Sequence, residues 1–284
     1  MTWTEGAWRF QRLRRPSVIP GFGLTFGVTL LGLCLVVLIP LTAVLARSAL
    51  MGWAAFAQAA FSARALHAYW LSLSAALIGA SVNAIFGLAT AWVLVRYVFP
   101  GRAVLNALVD LPFALPTAVA GVSLAGLYGA TGWVGGLLAP LGIKAAYNEL
   151  GVVIALTFVG LPFVVRTVEP VLRDLASDVE EAAASLGADR LQTLVRVILP
   201  ALAPAWITGF ALAFARAVGE YGSVIFIAGN MPYKTEIAPL LITIELEQFD
   251  YGSASAIAAV MLVIALAMLL SINGVQAWAG RFAK

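Results

Sequence analysis

The residues able to do chemistry are few. One cysteine, Cys34, and one histidine, His67, cannot form an internal disulfide or a Cys/His metal cluster. The three lysines, Lys144, Lys234 and Lys284, do not follow a glycine, so no Gly-x-x-x-x-Gly-Lys-Ser/Thr phosphate loop exists and ATP chemistry has no seat here. An intramembrane enzyme would need a nucleophile–base pair or metal ligands at depth, and neither is in view. What remains is a charge pair in an apolar setting. Arg216 lies in the stretch 203–228, with Glu220 one turn later on the same helical face. Arginine at the centre of a membrane helix costs about 2.5–3.5 kcal/mol, so it should face a bundle or a water-filled cavity. Two roles compete there: contact with an anion in transit, or a structural ion pair with Glu220. Pro112 and Pro116, followed by Thr117, are the other candidates for a path. Each proline removes a backbone donor and frees a carbonyl, which lipid tolerates only where protein or water satisfies it. A packing kink is the alternative.

A second group of residues sits in a polar loop. Residues 181–200 read Glu-Ala-Ala-Ala-Ser-Leu-Gly-Ala-Asp-Arg-Leu-Gln-Thr-Leu-Val-Arg-Val-Ile-Leu-Pro. Ser177 with Glu180, or Asp178 with Glu181, fits a capping box that opens a helix. Gly187 can take the left-handed conformation that ends it. Asp189 with Gln192 can open a second helix, whose Leu191, Leu194, Val195 and Ile198 form one apolar face before Pro200. Ala182 and Ala183 let another protein approach the backbone, and Glu181 offers it a charge-assisted contact. The pattern predicts helix–turn–helix, either a plug for a moving partner or an ordinary amphipathic loop with a glycine turn.

The elements that carry these groups are membrane spans. Of 284 residues, 62% are hydrophobic and 11% charged, against about 25% charged in an average soluble domain. No charge falls in 16–46, 68–95 or 251–280, and about 20 apolar residues suffice to cross a bilayer. Six spans are expected, at about 22–45, 70–95, 105–129, 150–168, 203–228 and 254–275, the fourth being short because Glu149 and Arg166 bracket it. The arginine-rich start (Arg9, Arg12, Arg14, Arg15) precedes an apolar run too long for a signal peptide, so the first span is expected to stay uncleaved. With the N-terminus inside, 12 lysines and arginines lie inside, 4 outside and 1 within a span, which predicts cytoplasmic termini. Ile237, Leu240, Leu241 and Ile244 recur at helical spacing and predict a short amphipathic helix at the outer surface. The organisation expected is 1–64 for the N-terminus, first span and outer loop, 65–275 for a transport domain with its cytoplasmic loop at 169–202, and 276–284 for a tail.

The loop resembles the signature of ABC-importer permeases: Glu-Ala-Ala, three residues, Gly, nine residues, Ile, one residue, Leu-Pro. Glu181, Ala182, Ala183, Gly187, Leu199 and Pro200 match, and Val197 stands in place of the isoleucine. The resemblance implies an all-α, polytopic, type I permease fold and a non-catalytic subunit that docks this loop on a separate ATPase. Residues 111–129 and 215–230 look like sulfate and molybdate permeases, and the outer segment 229–251 looks most like the T subunit (CysT type) of sulfate/thiosulfate importers. That implies a W-type homologous partner, two ATPase subunits carrying ATP-Mg, and a periplasmic sulfate-binding protein. It implies the bacterial inner membrane, no cofactor on this chain and no nucleic-acid partner. The outer segment agrees: Glu236, Glu245, Glu247 and Asp250 face Lys234 alone, a poor lure for a dianion unless a binding protein delivers it. A molybdate or tungstate permease is the alternative within the family. An ion-coupled secondary transporter would show inverted repeats and paired broken helices with ionisable groups at the midplane; here only Arg216 and Glu220 are expected at depth, and no repeat is evident.

Overall fold

A computed structural model describes residues 22–175 and 177–279, and among them every regular element is a helix. Two units are distinguished, one ending at Arg47 and one starting at Ser48. The first unit is the body of α1 (Phe22–Leu50), a helix in which no residue of Phe22–Leu38 is buried. Its threonines bond back onto their own helix, Thr29 to the Thr25 carbonyl at 2.8 Å and Thr42 to that of Leu38 at 2.8 Å, so no hydroxyl is left bare in an apolar surround.

The second unit begins with α2 (Trp53–Ala60) and α3 (Ala63–Arg96). Then come α4 (Arg102–Ala114), α5 (Thr117–Tyr128), α6 (Trp133–Leu138), α7 (Glu149–Asp174) and α8 (Ser177–Ser185). The chain closes with α9 (Arg190–Val218), the single turn α10 (Val224–Ile227), α11 (Ala238–Glu247) and α12 (Tyr251–Ala279). Six helical segments are long and apolar enough to cross a membrane: Phe22–Leu50, Ala63–Arg96, Thr117–Leu141, Glu149–Asp174, Arg190–Val218 and Tyr251–Gly274.

The centre of the unit is α7. Its Val152, Ala155, Leu156, Val164, Val165, Val168 and Leu172 are almost fully buried. They pack on small residues of α3 and α9, because lipid gives apolar side chains no drive to meet and close backbone approach must hold the helices instead. A Cβ on Gly87 would lie 2.8 Å from that of Val164, and one on Gly209 2.9 Å from the Val164 Cα. Two polar side chains add ties, one between α3 and α7 and one between α9 and α3. Asn83 donates to the Thr157 carbonyl at 3.0 Å, and the Trp206 indole to that of Ala84 at 2.8 Å.

Four expectations need correction. The third span, 105–129, is divided: Leu115 is extended, Pro116 precedes α5, and the membrane-length segment runs Thr117–Leu141. Proline forces its predecessor out of the helical region and offers no N–H, so two consecutive positions stop the helix. The fourth span is not short, since Arg166 lies inside α7 and finds partners there. The fifth neither starts at 203 nor reaches 228. It runs on from Arg190 through Pro200, and Gly219 ends it. Five-residue π-turns, Cys34–Leu38 and Leu194–Ile198, sit just ahead of Pro40 and Pro200. The wider turn takes up the carbonyl that the proline ring would strike. Last, the helix expected at the outer surface forms as α11 but packs inward, with Leu241 buried against α3 and α12, and Ile237 and Leu240 in the core that α3 shares with α7.

Candidate functional site

The polar loop folds as helix–turn–helix. Gly187 has φ +83°, and the Ala188 amide reaches back to the Ala183 carbonyl (3.0 Å) while that of Gly187 meets Ala184 (2.9 Å). This pair of bonds is the Schellman ending of a helix, and it needs a left-handed residue at Gly187. Asp189 and Gln192 close a reciprocal capping box two residues later. The other expected cap rests in part on the side chain of Ser177, outside the described residues. Glu181 and Ala182 are exposed, Ala183 is half-buried, and Leu186 stands 89% exposed at the turn. The apolar face expected beyond the turn is split, with Ile198 buried and Leu191 and Val195 exposed. Glu180, facing inward, pairs with Arg96 at 2.6 Å, which fastens α8 to the end of α3 over an apolar cavity of about 800 Å³.

Arg216 and Glu220 meet, but not at mid-helix. Arg216 occupies the last turn of α9, and Glu220 lies beyond the helix end. The ion pair is 2.5 Å long, with the carboxylate 2% exposed and the guanidinium 38%. The Ser223 amide and hydroxyl both donate to Glu220 Oε1 at 3.0 Å. The loop that follows α9 presses against the start of α5: a Cβ on Gly222 would fall 2.1 Å from Thr117 Oγ1, and one on Gly121 2.4 Å from the Ser223 carbonyl oxygen. Pro116 and Thr117 are thus brought to the Glu220–Ser223 loop. Pro112 stays one turn back, inside α4. Two interrupted spans therefore face each other.

These groups and the polar loop occupy opposite stretches of α9. From Leu199 to Arg216 the helix rises about 26 Å, so no residue belongs to both.

One cluster escaped the sequence reading. Arg166 grips Asp110 of α4 through two bonds (2.7 and 2.6 Å) and Asn106 through its side chain and carbonyl (3.0 and 3.1 Å). It also meets Glu169, whose other oxygen takes Arg173. Glu169, read as a loop residue, is only 5% exposed. The recoverable signal was Arg166, Glu169 and Arg173 at spacings of three and four, one face of one helix. The outer acidic segment is likewise less bare than its own charges suggest. Arg64 holds the buried Glu236 through two bonds of 2.7 and 2.6 Å.

With this geometry in hand, residues 83–283 match the family described as binding-protein-dependent transport system inner membrane component. The chain belongs to that family. Among its relatives, the sulfate transport system permease protein CysT of Salmonella typhimurium is 50% identical over 264 residues, covering 93% of this chain and 95% of that protein. The protein of the same name from Synechocystis is 48% identical, covering 96% of each. Among solved structures, a bacterial ABC transporter involved in import of the acidic polysaccharide alginate superposes with a TM-score of 0.70 at 16% identity, over 96% of this chain and 99% of that one. The methionine transporter MetNI in an inward-facing conformation gives 0.56 over 75% of this chain and 95% of that one, at 15% identity. The architecture is therefore that of a type I importer permease, a membrane-spanning part of a transport system.

Proposed function

We propose that this chain is the permease subunit through which sulfate or thiosulfate enters the cell, driven by ATP hydrolysis on a separate subunit. One observation carries the reading: relatives named sulfate transport permease share about half of all residues over more than nine-tenths of both chains. In this reading Glu181, Ala182, Ala183, Gly187, Leu199 and Pro200 form the seat for the ATPase. The exposure of Glu181 and Ala182 on a helix fixed at its inner face supports that role. Arg216, Glu220, Pro112, Pro116 and Thr117 belong to the path. A guanidinium held by a buried carboxylate, yet more than a third exposed, keeps donors for a passing dianion. A homologous W-type permease completes the pore, two ATPase subunits bind ATP-Mg, a periplasmic protein delivers the anion, and both termini lie in the cytoplasm.

The test is reconstitution of the co-purified assembly in proteoliposomes with its binding protein. Uptake of labelled sulfate should require ATP inside the reach of the ATPase subunits, and excess thiosulfate should compete. Uptake of molybdate in place of sulfate would overturn the substrate, and uptake unaffected by ATP would overturn the class.

A further inference from the structure

The break at Leu115–Pro116 separates two differently anchored bodies. On one side, α4 is held almost wholly by α7. Only Val109 of α4 is buried. The hold comprises Val109, packed with Leu105 against the core that α7 shares with α3 and α9, the Arg166 bonds to Asn106 and Asp110, and an edge-to-face contact between Phe113 and Phe163 at 5.2 Å. On the other side, α5 is locked to the loop after α9 through Thr117 against Gly222 and Gly121 against Ser223. The two bodies meet in one extended residue and one proline.

The C-terminal end of α7 also runs directly toward α8: Asp174 ends α7 and Ser177 begins α8. Arg166 lies about two turns before that end. We infer that Arg166 is a positioning residue of the transport cycle: it clamps α4 to the C-terminal half of α7, so that displacement of α8 is delivered to the α4–α5 break. This rests on the reading of 181–200 as the ATPase seat.

Stability alone is a poor reason for such a cluster. Only Glu169 is buried, Asp110 being 47% exposed and Arg166 29%, and ion pairs that solvent reaches contribute little to stability. What the cluster does supply is geometry. The planar guanidinium takes both oxygens of Asp110 in a fixed fork while touching Asn106 and Glu169, and this fixes the register and rotation of α4 on α7. Glu169 is in turn held by Arg173, one turn nearer α8. Apolar contacts such as that of Val109 carry load but are non-directional, so the directed bonds of Arg166 are what fix the register.

The test uses the complete assembly in proteoliposomes, with ATP hydrolysis and labelled-sulfate uptake read from the same vesicles. Asp110→Asn keeps the shape at a half-exposed position and removes the charge, and Arg166→Gln leaves Glu169 with Arg173. Both variants should assemble and hydrolyse ATP close to the wild-type rate, while sulfate moved per ATP falls about tenfold. Arg166→Lys, which keeps charge but loses the fork, should be uncoupled as well. Full coupling in Asp110→Asn and Arg166→Gln, or coupling restored by lysine, overturns the clamp while leaving the transport reading intact. Wild-type uptake that ignores ATP would overturn both.

Discussion

Thr117 and Gly222 are packed so closely that no side chain fits between them: a Cβ on the glycine would sit 2.1 Å from the threonine hydroxyl and 2.9 Å from its Cβ. Two spans are interrupted, one at Leu115–Pro116 and one after Val218, and this contact sets the interruptions side by side.

Gly222→Ala should therefore destabilise the permease by about 1–3 kcal/mol, the usual cost of overpacking. Thr117→Ala in the same chain should recover part of that, since it removes the nearer atom and leaves the Cβ. Thermal unfolding of the purified single and double variants measures both.

Gly187 has open space around the position of a Cβ, so only its φ of +83° constrains it. Gly187→Val should cost about 1–2 kcal/mol in local backbone energy and abolish transport, whereas Gly187→Asn, a residue that visits the left-handed region, should retain it. Uptake by the two variants at matched expression decides. Equal activity would remove the turn from the coupling seat.

Arg216→Met leaves the Glu220 carboxylate buried with only the Ser223 donors. With the arginine more than a third exposed, the loss should be about 1–3 kcal/mol. Glu220→Gln added to Arg216→Met should restore assembly yet not sulfate uptake. Wild-type uptake in the double variant would take Arg216 out of the path.

Reporters fused at residues 1 and 284 should read cytoplasmic, and one near Lys144 external, following the 12-to-4 distribution of lysine and arginine. An external C-terminus would require an odd number of crossings.

Two carboxylates, Glu245 near the end of α11 and Asp250 between α11 and α12, give opposite pH dependences. Hydrogen bonds from the Ser253 amide and hydroxyl hold Asp250 below its ordinary pKa. Its contribution is present above the unfolded value, about 3.9, and disappears as pH falls through the folded one. Burial pushes Glu245 up, opposed by Arg64 and aided by Asp250 and Glu236. There the folded state holds the proton more tightly, so stability declines as pH rises from the unfolded value of about 4.3 through the folded one. Glu245→Gln should remove that decline, and Asp250→Asn the loss at lower pH, in unfolding curves taken from pH 3 to pH 7.

The charge-free runs made α1, α3 and α12 legible, because a bilayer imposes one length on any apolar helix. The turn at Gly187 and the box at Asp189–Gln192 were legible too, since both depend on neighbours in sequence. The end of α9 was not. The stretch from Val224 to Ile227 is as apolar as a span, and hydropathy masked the stop at Gly219 and Gly222. Arg166 was read as the edge of a span because its compensation comes from Asp110, 56 positions away. Similarly, Glu236 counted as an outer charge until Arg64, 172 positions earlier, was found holding it. Local rules place caps and turns, but a distant counter-charge leaves no local trace.

The interrupted third span has a consequence during synthesis. When α4 and α5 leave the ribosome, the partners that fix them do not yet exist. Arg166 follows Asp110 by 56 residues, and Gly222 follows Thr117 by more than a hundred. At about 5–20 residues per second, that first counter-charge arrives seconds late and the second anchor later still. The α4–α5 segment must therefore wait in the insertion machinery or at the membrane surface while α7 and then α9 are made. It settles late, although it is among the earlier parts to be translated.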